Sequence, residues 1–153
     1  MRTRGDTLHM LWLIRAEPRS FITMGVAHTI SGDGGRTWSA PQNVPLPAGL
    51  DTPARIAAAA GPGGELHLVF SDRLVELNKQ LWHTRFLDGW TQPVRLLPDS
   101  SRRSSRFVFH IDGSGRLHLL WSHSALYREG DPPGARDVRL SYAVRPLCRE
   151  DGT

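Results

Sequence analysis

Gly115-Arg116-Leu117-His118-Leu119-Leu120-Trp121-Ser122 is the third copy of a phrase that organises this 153-residue chain. The first copy is Gly5-Asp6-Thr7-Leu8-His9-Met10-Leu11-Trp12 and the second is Gly64-Glu65-Leu66-His67-Leu68-Val69-Phe70-Ser71. Their common text is Leu-His-apolar-apolar-aromatic. Leu66 follows Leu8 by 58 residues and Leu117 follows Leu66 by 51, a period that marks an array of similar supersecondary units. The second and third copies also share an upstream arginine, Arg55 and Arg106, each 11 residues ahead of the repeated leucine.

Each copy precedes a second apolar run: Ile22 to Ile30, Gln80 to Phe86 and Val138 to Val144. Two of these lead into matched segments, Trp38-Ser39-Ala40-Pro41 and Trp90-Thr91-Gln92-Pro93, which are expected to form an outer strand. Short runs bounded by Gly, Pro and Asp, with no 3.6-residue periodicity, predict an all-β chain. The period suits four-stranded antiparallel β-propeller blades. The expected organisation is one segment, 1–153, holding about three blades at 5–48, 53–99 and 105–147, an incomplete propeller. The first blade starts at its second strand and the third stops after its third.

Within the first unit, between its last two expected strands, lies Ser31-Gly32-Asp33-Gly34-Gly35-Arg36-Thr37-Trp38, which fits the Asp-box pattern Ser/Thr-x-Asp-x-Gly-x-Thr-Trp at every specified position. Its chemistry is that of a turn. A carboxylate accepts backbone N–H groups, glycines take positive φ, and the tryptophan is expected to anchor the hairpin in the core. Ser31, Asp33, Gly35, Thr37 and Trp38 are therefore read as structural, and Leu87-Asp88-Gly89-Trp90 as a shortened version. On these residues the chain resembles the sialidase (BNR, Asp-box) repeat superfamily, whose members are six-bladed propellers. The resemblance implies glycan recognition related to exo-sialidase glycoside hydrolases.

The family's Phe/Tyr-Arg-Ile-Pro motif, whose arginine clamps a sugar carboxylate, is reduced here to Ala54-Arg55-Ile56-Ala57. Its Ala-Asp-x-Arg strand end is approximated by Ser71-Asp72-Arg73, but no aspartate lies between Arg73 and Leu87, and Glu76 is the nearest carboxylate. The expected ligand-binding residues are Arg55, Arg106, Asp72 and Arg73. The weak catalytic candidates are Tyr127 as nucleophile with Glu129, and Glu76. A sialidase-type tyrosine needs such a neighbouring acid because a free phenol ionises near pH 10. The missing proline and acid/base aspartate weigh against turnover by this chain alone, so enzymatic activity stays open. A non-catalytic scaffold for protein interaction and a fragment of a larger hydrolase are the competing readings.

Bulk properties narrow the classes further. The formal charge of +4 is carried almost wholly by arginine, since Lys79 is the single lysine, and guanidinium forks suit bidentate carboxylate binding. The basic residues are scattered and no nucleic-acid motif occurs, so the expected partners are an acidic carbohydrate and another copy or second propeller half, not nucleic acid or membrane. Cys148 is alone and has no partner for a disulfide within the chain. His9, His67 and His118 recur at one place in successive units, which argues for packing rather than a metal site, and no cofactor is expected. The run His9 to Ile14 behind Arg2 and Arg4 is too short for a signal peptide, and as written the chain is expected to be cytoplasmic.

Overall fold

The computed structural model describes residues 6–20, 22–50, 52–72, 80–97, 103–124 and 138–147. Over these residues the chain is all-β, in three small antiparallel sheets, none of them closed. The first sheet orders β1 (Leu8–Arg15), β2 (Thr23–Ser31) and β3 (Gln42–Asn43) side by side. The second holds β4 (Pro53–Ala60), β5 (Leu66–Asp72), β6 (Leu81–Phe86) and β7 (Val94–Arg95) in chain order. The third places β9 (Arg116–Ser124) between β8 (Arg103–Ile111) and β10 (Val138–Pro146). The Leu-His phrase is β1, β5 and β9, so the apolar stretch behind the N-terminus is a paired strand.

Period-2 alternation gives each copy two faces. In β5, Leu68 and Phe70 point one way and pack with Val26, Leu11 and Leu13 of the first sheet. Val69 points the other way and packs with Leu117, Leu119 and Trp121 of the third. Every residue of β5 is accordingly buried, whereas β9 buries Leu117 and Leu119 on one face only, and β1 buries His9 and half-buries Leu11 and Leu13. Both junctions thus have one form. The Leu-apolar-aromatic face of a sheet lies on the His-bearing face of the sheet before it. Val44 and Leu96 complete the two junctions from equivalent places, their N–H groups bonded to the carbonyls of Val26 (2.9 Å) and Leu81 (2.8 Å).

The turns that close the hairpins are repeated too. Gly64 and Gly115 take φ of 89° and 73° in four-residue turns between the first two strands of their sheets, where an L-residue side chain would be strained. In the Asp box, Gly34 and Gly35 have φ of 73° and 94°. Asp33 Oδ1 accepts the N–H groups of Arg36 and Thr37, both at 2.9 Å, and Oδ2 accepts the Thr37 hydroxyl at 2.7 Å. Ser31, buried at the end of β2, donates to Asp33 and accepts the Gly35 N–H at 2.8 Å. The shortened copy keeps the outer hinge. Thr29 and Thr84 donate to the carbonyls of Ser39 and Thr91, at 2.7 and 2.6 Å.

Two expectations are corrected. The outer strands are Gln42–Asn43 and Val94–Arg95, immediately after the Trp-x-x-Pro segments rather than within them. Pro41 and Pro93 have no N–H to give a ladder, so pairing begins past them. Trp38 does not anchor a core. It is 39% exposed, and its Nε1–H donates to the Gly35 carbonyl at 3.2 Å. Its counterpart Trp90 does the anchoring, because Trp90 has a preceding sheet to pack on: its ring meets His28 edge-on at 5.0 Å.

Ser31→Ala should cost about 1–3 kcal/mol in urea unfolding, because it removes the buried hydroxyl that accepts the part-buried Gly35 N–H and donates to Asp33. Thr37→Val, at an exposed position where water replaces the lost hydroxyl, should cost under about 1 kcal/mol. Equal losses for the two would show that the turn is not held from its buried side.

Candidate functional site

Arg55 and Arg106 prove equivalent in register as well as in spacing. Arg55 stands opposite Ser71 and Arg106 opposite Ser122, and in each strand a register shift comes directly before the arginine, between Pro53 and Arg55 and between Ser104 and Arg106. Strands β4 and β8 are neighbours, so the two sit at matching places on adjacent first strands. Both side chains are exposed, and no hydrogen bond or ion pair engages either among the described residues. Ser71 beside Arg55 is buried, and its hydroxyl has no hydrogen-bond partner among the described residues.

Asp72 plays a different part. It is buried, its Oδ1 accepts the Gln80 N–H at 3.1 Å, and its own N–H bonds the Gln80 carbonyl at 3.3 Å. It therefore ties the end of β5 to the start of β6. Thr23 donates to the Pro53 carbonyl and fixes the same end of the first sheet to the second. The Asp box lies beyond the paired ends Leu8 and Ser31, the far end of the ladder from Arg15 and Thr23. The hydrogen bonds from Thr37, foremost its backbone N–H, hold Asp33 well below the usual carboxylate range, fitting a turn residue that stays ionised. Arg73, Glu76, Tyr127 and Glu129 lie outside the described residues.

The recurring histidines carry a feature that spacing alone did not disclose. His9 Nδ1 lies 2.9 Å from His28 Nε2, and His67 Nδ1 lies 3.0 Å from His83 Nε2, both pairs buried and nearly parallel with ring centroids 5.2 Å apart. In the third sheet Tyr142 takes the second position, its hydroxyl 2.6 Å from His118 Nδ1. His28, His83 and Tyr142 are register equivalents, opposite Leu11, Val69 and Leu120. Their separations from the first histidine are 19, 16 and 24 residues, because the loops between differ in length. A histidine on the third strand of two units was the available signal.

A carboxylate sits behind two of these couples. Asp112 Oδ2 is 3.0 Å from His118 Nε2, and Glu65 Oε1 is 3.3 Å from His67 Nε2. They come from different ends of the same turn. Asp112 opens its turn and caps the N–H groups of Ser114 and Arg116, both at 2.9 Å. The matching residue is Gly61, where a Cβ would fall 2.2 Å from Glu65 Oε1: the Glu65 side chain fills the space that Asp112 fills in the next sheet. Burial, with the neighbouring histidine next, pushes His28 down to about 4 and His83 down to about 3. The two histidine couples are held neutral by burial and lie at the junctions between sheets, whereas His118 and Tyr142 stand on the open face of the third sheet. Among the described residues no group of three His, Cys, Asp or Glu is placed to hold a metal ion, and no helix is long and apolar enough to cross a membrane. No protein-family model matches the chain, and no curated protein matches its sequence.

The sign of the pH dependence follows from the lowered values. Unfolded histidine binds a proton near pH 6.5, while folded His28 and His83 resist it to about 4 and about 3, so the unfolded chain holds more protons across that window. Unfolding free energy should be flat above pH 7 and fall as pH drops from 6.5 toward 4. His83→Gln should remove up to about 1.4 kcal/mol per pH unit of that slope. A slope unchanged by this variant would mean that His83 is not held neutral.

Proposed function

We propose that the chain is a sialidase-like β-propeller segment that recognises an acidic carbohydrate. The observation that supports it is the pair Arg55 and Arg106: exposed, register-equivalent guanidiniums on adjacent first strands, with no partner among the described residues. On a propeller, first strands line the central channel, and two forks at its mouth suit one carboxylate through charge-assisted bonds. The Asp box, the repeated Leu-His strand and the Arg-Ile remnant are the sequence support for the same reading. Asp72, buried and bonded to Gln80, is left out of the ligand contacts.

The reading is a binding function, with hydrolysis not assigned to this chain. Titration of the purified protein with N-acetylneuraminic acid should show saturable binding. Arg55→Lys keeps the charge but loses the fork, and should weaken binding roughly tenfold or more with the fold intact. A fluorogenic sialoside should not be turned over. No binding by the wild type would end the carbohydrate reading in favour of a protein-interaction scaffold, and turnover abolished by Tyr127→Phe would make the chain an enzyme.

A further inference from the structure

We infer that this chain self-associates head to tail: the open face of the first sheet in one copy covers the open face of the third sheet in another, and two copies close a ring. The junctions within the chain repeat. Twice within the chain a Leu-apolar-aromatic face lies on the His-bearing face of the preceding sheet. Among the described residues no other sheet packs on the covering face of the first sheet: Met10 is 50% exposed, and Trp12 and Trp38 are exposed, while the small residues Ala27 and Thr29 opposite Trp12 and Met10 are buried. Met10, Trp12 and Trp38 are the equivalents of Leu68, Phe70 and Trp90, which are packed between sheets. The receiving face of the third sheet is likewise without a packed sheet among the described residues. Val108, Tyr142 and Leu140 are 62%, 61% and 70% exposed, with Leu120 and Val144 between them on the same face.

The two faces fit each other and not themselves. In the first junction Trp90 seats edge-on against His28. Trp38 stands where Trp90 stands, and Tyr142 where His28 stands, so a third junction of the same form seats Trp38 of one copy on Tyr142 of the next. This also accounts for a tryptophan left exposed within an otherwise well-satisfied Asp box. On the third sheet exposed apolar side chains stand on all three strands, beside the exposed Arg106, and a contiguous apolar patch with a polar rim marks an interaction surface. The contact is heterologous, so it either closes or grows without limit. Closure rests on the propeller reading: two copies supply six sheets, within the range in which propellers close.

Sedimentation of the full chain over a wide concentration range tests this independently of the sugar titration. The expected species has twice the chain mass. Met10→Glu on the covering face and Leu140→Glu on the receiving face should each weaken it roughly thirtyfold or more. Both positions face solvent in the single chain, so the fold should survive; Met10→Gln and Leu140→Gln are the milder pair. Mixing the two Glu variants leaves one junction intact and should restore a species of twice the chain mass. A monomer throughout, a dimer indifferent to Met10→Glu, or open-ended growth with concentration would each overturn the proposal.

Discussion

The arrangement depends on one constraint: a β-strand with apolar side chains on both faces needs cover from both sides. The Leu-His phrase is such a strand, and among the described residues its cover comes from another sheet built on the same phrase. Stacking sheets face to face satisfies both sides of β5, since Phe70 meets the first sheet while Val69 meets the third. Burial of a large apolar side chain contributes about 1.5–3 kcal/mol. The stack is therefore driven by the faces, and the hairpin turns only set the register in which they meet.

Polar groups enter these junctions on strict terms. An imidazole taken out of water without a partner is costly, and in each sheet the histidine of the phrase bonds the residue diagonal to it on the next strand, whether that is His28, His83 or Tyr142. The carboxylate behind it can come from Asp112 or from Glu65, because what matters is an acceptor at that point in space. Gly61 is required by the second solution, since any side chain there would collide with Glu65. This is the behaviour of a structural network. The same space is filled by different residues, and the neutral forms are favoured by burial.

The candidate site differs in each of these respects. Arg55 and Arg106 keep residue type as well as position, and lie exposed at the end of the strands marked by Thr23, Pro53 and Asp72. The Asp box occupies the far end and spends its polar atoms on its own turn. One end of the stack is thus closed by hydrogen bonds that leave little for a ligand. The other carries uncommitted charge.

Local chemistry in the sequence was enough to determine much of this. Three hairpin-linked sheets, the strand carrying the Leu-His phrase and the Asp-box turn follow from alternation, glycine and an i to i+4 hydrogen-bonding pattern, all of which act within a few residues. Equivalence of Arg55 and Arg106 also survives, because spacing within a hairpin fixes register. What the tertiary structure decided is everything that depends on which sheet lies beside which. Trp38 and Trp90 read alike, yet only Trp90 has a sheet to lie on. Asp72 reads as a site residue, yet burial commits it to Gln80. The histidine couples span loops of unequal length, so no fixed spacing announces them, and only the paired strands bring those rings together.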